Sequence, residues 1–92
     1  MTSTRTQPSD VAQAILLAMS YRLTAVRPTH VMQDPIRLAM VLTYATEHHG
    51  YLSDAAAELE AEVLQYAPPV DREITRGEYA LILRRAAGGD DQ

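Results

Sequence analysis

Apolar side chains recur three and four residues apart along most of the chain, and nowhere do they alternate. Val11, Ile15, Met19 and Leu23 mark one such line, and Tyr79, Ile82, Leu83 and Ala86 mark another. A period near 3.6 lays residues along one face of an α-helix, whereas a strand needs a period of two. The spacing therefore predicts an all-α fold, a small four-helix domain, and leaves no segment for a sheet. A chain of 92 residues makes one domain and no more. Its 47% of apolar residues supply a core and place it outside the composition of disordered chains.

Start and stop signals divide the chain. Residues 1–8 read as a flexible tail, 9–87 as the domain and 88–92 as a flexible acidic tail. Helix one is expected from Ser9 or Asp10, with Gln13 completing a capping-box-like start, to about Thr24. The stretch Arg27-Pro28-Thr29-His30 ends the pattern, because proline disfavours helix in the residue before it. Helix two opens at Asp34-Pro35, read as a capping acid and a proline at the first helical position, and runs to His49 with Gly50 as terminator. Helix three runs from Ser53 to just before Pro68-Pro69. Helix four carries the clearest start: a Thr75/Glu78 capping box, with Ile74 stapling onto Tyr79. Gly88 stops it.

Helix two is unlike the rest. Ile36, Leu38, Met40, Val41, Leu42 and Tyr44 spread over roughly 240° of its circumference, against ~100° or a little more for an ordinary surface helix. Such a helix is expected at the centre of the bundle, or shared with a second chain. Helix one adds Leu17 and Tyr21, one turn apart and outside its main apolar face. Leu17, Tyr21, Leu38 and Leu42 are the expected protein-interface residues, and a two-fold homodimer is the expected form.

Charge narrows the partners. The net charge is −4 and falls on the second half, where nine acids face four arginines. Phosphate contacts usually need a basic face, so nucleic acid is possible but not favoured. Arg22, Arg27 and Arg37 are the candidates for a basic patch, and Asp54, Glu58, Glu60 and Glu62 on helix three for an acidic contact face. There are no cysteines, which removes disulfides and thiolate metal sites. The longest apolar run, Ala14–Met19, is far too short to span a bilayer. A cytoplasmic location is the expectation.

Catalytic chemistry finds little to work with. His30, His48, His49 and Glu47 are the only candidates for a metal or acid–base site. Adjacent helical residues diverge by about 100°, so His48 and His49 cannot grip one ion together. The carboxylate pairs Asp54/Glu58 and Glu58/Glu62 fall on the wet side of a helix, not in a cleft. No phosphate loop and no nucleophile or zinc motif is present. No catalytic residue, metal or cofactor is expected.

Two stretches resemble known patterns. Glu47-His48-His49-Gly50-Tyr51-Leu52-Ser53 joins two helices through a glycine turn, as a helix-turn-helix does, which implies helix three in a DNA major groove. Ile74-Thr75-Arg76-Gly77-Glu78-Tyr79-Ala80 is similar to the closing helix of a surface-layer homology repeat. The tryptophan and glycine-rich elements of that family are missing upstream, and the capping box accounts for the likeness. The expected function is protein–protein interaction by a non-enzymatic regulatory or accessory factor. The alternatives are a DNA-binding regulator and a small metal-dependent or acid–base enzyme.

Overall fold

A computed structural model describes residues 7–50 and 53–88 of the chain. Four helices follow one another: α1 (Asp10–Ala25), α2 (Asp34–His49), α3 (Asp54–Tyr66) and α4 (Arg76–Ala86). The all-α class stands as expected, and among the described residues the only extended pairing is an isolated bridge, Val31 to Thr75.

Most helix ends sit where local chemistry puts them. The Ser9 hydroxyl accepts from the Ala12 N–H and that of Ser53 from the Ala56 N–H, each satisfying one of the orphan donors of a helix start. At Thr75 the full capping box forms: Glu78 N–H donates to the Thr75 hydroxyl, and Thr75 N–H donates to the Glu78 carboxylate. Gly50 closes α2 at φ 87°, a left-handed backbone that glycine adopts without a Cβ penalty. One start differs. Gln33 occupies the N-cap position of α2 without a side-chain cap bond, and Asp34 lies inside the first turn. Its carboxylate is committed elsewhere, as described below.

α1 contacts each of the other three helices and lies mainly along α4, while α2 lies mainly on α3. In the single chain α1 is the helix that meets all three others. It buries Ala12, Ile15, Leu16, Met19, Ser20 and Leu23, whereas α2 buries only Arg37, Val41 and Ala45. Leu59 and Val63 of α3 and Tyr79, Ala80 and Leu83 of α4 complete the core.

The α1–α2 connection is bound to the start of α4. Met32 N–H donates to the Ile74 carbonyl, Arg76 N–H to that of His30 and Gly77 N–H to that of Pro28. Met32 is thereby carried into the core. A Cβ on Gly77 would lie 3.3 Å from the Pro28 oxygen, so this crossing is tight enough to favour glycine. The two tails fall largely on residues 1–6 and 89–92, outside the described residues. Pro8, assigned to the first tail, is buried, and its carbonyl accepts from the Gln13 amide.

Candidate interaction surface

The apolar surface of α2 divides between two flanks. Val41 and Ala45 face the core. Met40 and Tyr44, half-buried, turn toward α1 across an open groove of two hollows, ≈ 360 and ≈ 540 Å³. Ala14, Ala18 and Arg22 line its α1 side, and Met40, Thr43, Tyr44, Glu47 and His48 its α2 side. Alanines at i and i+4 on α1 leave the aromatic ring of Tyr44 without a large side chain opposite, and the groove stays open. Spacing alone did not reveal it, since small residues count as apolar on a wheel while filling little volume.

Leu38 and Leu42 sit on the other flank. At 3.6 residues per turn, Leu42 is about 160° round the helix from Met40. They remain 44% and 45% exposed. They are the two large aliphatic side chains of α2 that the chain itself leaves most open to water.

The second expected pair does not join them. Leu17 is half-buried and packs on the core. Tyr21 is 60% exposed, but its ring lies under the Arg84 guanidinium of α4 at 5.5 Å, within range of a cation–π contact. Arg84 Nε also reaches the hydroxyl of the buried Ser20 at 3.4 Å. Tyr21 thus belongs to the α1–α4 seam and Leu17 to the edge of the core, while Leu38 and Leu42 lie open on α2.

The four acids of α3 do not form one face. Asp54 and Glu58 are exposed. Glu62 accepts from the Ser9 N–H at 2.7 Å and from its hydroxyl at 2.9 Å, tying α3 to the start of α1, where a carboxylate also complements the helix dipole. Glu60 is half-buried and lies about 160° round the helix from both Glu58 and Glu62. The expected acidic face reduces to Asp54 and Glu58.

The arginines do not form a patch. Arg22 and Arg27 are exposed, but Arg37 is buried at 7% exposure. Its Nε donates to Asp34 Oδ1 at 2.7 Å, Nη2 to Oδ2 at 3.1 Å, and Nη1 to the Ala67 carbonyl beyond the end of α3 at 3.0 Å. Asp34 accepts in addition from the Val70 N–H. A bidentate pair on one turn of α2 thus clasps the α3–α4 link from both sides, while the Tyr79 hydroxyl donates to the Pro68 carbonyl within it. The Arg37 and Val70 donors hold the Asp34 carboxyl below its ordinary value, and burial raises the Tyr79 phenol. The sequence offered a weak sign of this knot in Asp34 and Arg37 at i, i+3; their partners 30 and more residues away left none.

Among the described residues no group of three or more His, Asp and Glu side chains is placed to hold a metal ion. No described helix is long and apolar enough to cross a membrane. The turn of the helix-turn-helix resemblance includes Tyr51 and Leu52, outside the described residues; α3, its recognition helix, exposes Asp54 and Glu58. No known protein family, curated protein or solved structure matches the chain.

Proposed function

We propose that the chain acts without catalysis, as a small regulatory or accessory factor in the cytoplasm that works by binding protein, its own copies included. One observation carries this reading. Leu38 and Leu42, neighbours one turn apart on α2, stay nearly half exposed. Scattered surface leucines are ordinary, but an adjacent pair beside a helix face already rich in apolar side chains favours a covered state. The uncharged flank that carries them suits a protein surface better than a phosphate backbone, and the knotted Arg37 is lost to any phosphate contact.

Sedimentation velocity of the purified chain over a broad range of concentration tests the reading. Wild-type protein is expected to shift toward a larger species as concentration rises. Leu42→Asp should sediment as the small species throughout, with its helical circular dichroism unchanged. A wild-type chain that stays monomeric across the whole range removes self-association from the reading.

A further inference from the structure

We infer that the partner on the Leu38–Leu42 flank is a second copy of this chain, with the two α2 helices antiparallel about a two-fold axis near residue 40. This rests on the protein-binding reading above and adds to it the identity of the partner and its geometry.

Charge argues for a copy. From Pro35 to Thr46 the exposed side chains of α2 are Pro35, Leu38, Ala39, Leu42 and Thr43, none of them charged. The exposed acid of α2, Glu47, lies in its last turn, about 140° round the helix from Leu42, while the other helices expose Asp10 and Arg22 on α1, Asp54 and Glu58 on α3, and Glu78 and Arg85 on α4. Near a two-fold axis each side chain meets its own kind, so a charged residue there would face like charge. The chain carries a net −4 and repels its copy at long range. The uncharged strip is the helix surface of the described residues on which two copies meet without adding to that repulsion. A basic partner would instead be drawn to Asp54 and Glu58.

Position argues for antiparallel pairing. Leu38 and Leu42 centre on residue 40, about 2 Å along the axis from the midpoint of α2 at 1.5 Å per residue. An antiparallel copy sets each Leu38 against the other chain's Leu42 and overlaps the helices along most of their length. It also sets the carbonyl end of each helix, after His48 and His49, beside the N–H end of its mate. Parallel pairing would bring like ends of the dipoles together. Two leucines cover much less than the ~800 Å² per partner of a standard interface. Pro35, and Ala39 at the rim of the α1 groove, must share the contact, and dissociation is expected at micromolar concentration.

The absence of cysteine allows a direct test. Leu38→Cys and Leu42→Cys chains, one carrying a tag, are mixed above the dissociation concentration and oxidised. The mixed disulfide, which joins a Leu38→Cys chain to a Leu42→Cys chain, is expected to exceed either self-linked product several-fold, because bridging needs Cα atoms roughly 4.4–6.8 Å apart. Predominance of the self-linked products, or a statistical mixture, overturns the antiparallel axis. If wild-type protein self-associates by sedimentation while Leu42→Asp leaves that association intact, the surface is wrong but the protein-binding reading stands.

Discussion

α1 and α2 have the same length, 16 residues, and both are rich in apolar side chains, yet they occupy opposite positions in the molecule. α1 sits where three helices converge and closes its line of Ile15, Leu16, Met19 and Leu23 almost completely. α2 rests chiefly on α3, meets α1 across a groove floored by Ala14 and Ala18, and keeps Leu38 and Leu42 open. Even its most buried line is mixed, with Arg37 beside Val41 and Ala45. How apolar a helix is does not fix how deeply it is buried. Depth follows from how many neighbours reach each face, and a broad apolar face with few neighbours stays partly open to water.

The contrast can be broken most forcefully at Leu16, which is fully enclosed. Leu16→Ala should cost about 2–5 kcal/mol, the lost transfer energy plus the cavity left behind, measured by urea unfolding at a concentration where the chain is monomeric. A cost under about 1 kcal/mol there would mean that α1 is not the packed helix.

Next comes the polar knot, where α2 contributes something other than oil. Arg37→Ala removes both Asp34 contacts and leaves the Ala67 carbonyl without its donor. A fall in Tm on the order of 5–10 °C is expected, together with faster amide exchange at Val70. The same knot makes an acid limb. The Asp34 carboxyl is lowered in the fold, first by the Arg37 bond and then by the Val70 N–H. Its contribution is therefore present above the ordinary value of 3.8 and fades as pH falls through the lower folded value. Asp34→Asn should flatten the decline in Tm below about pH 4 relative to wild type; an unchanged decline would place the acid-sensitive group elsewhere.

The smallest effect belongs to the open flank. Leu42→Ala should change monomer stability by less than about 1 kcal/mol, far below the same truncation at Leu16. Should the two costs match in dilute solution, Leu42 is core and the difference between the helices disappears.

Much of the fold was legible because its determinants are local. Ser9, Ser53 and the Thr75/Glu78 box bond to N–H groups three residues away, and Gly50 adopts a backbone set by its own missing Cβ. The candidate surface was less legible. Leu38 and Leu42 stand exposed, which a broad apolar spread on the wheel did not single out, while Leu17 packs inward and Tyr21 lies against Arg84. Glu62 left the acidic face for Ser9, and Arg37 left the basic one for Asp34 and Ala67.

From the sequence alone came the helical class, the four segments and nearly all their ends, since periodicity and capping act within a turn or two of the chain. Only tertiary structure decided that α1 meets all three other helices, that Met32 and Pro8 are buried, and that Arg37 serves a backbone carbonyl 30 residues away. Those outcomes depend on which helices meet, and a contact between distant residues leaves no mark on the spacing of either one.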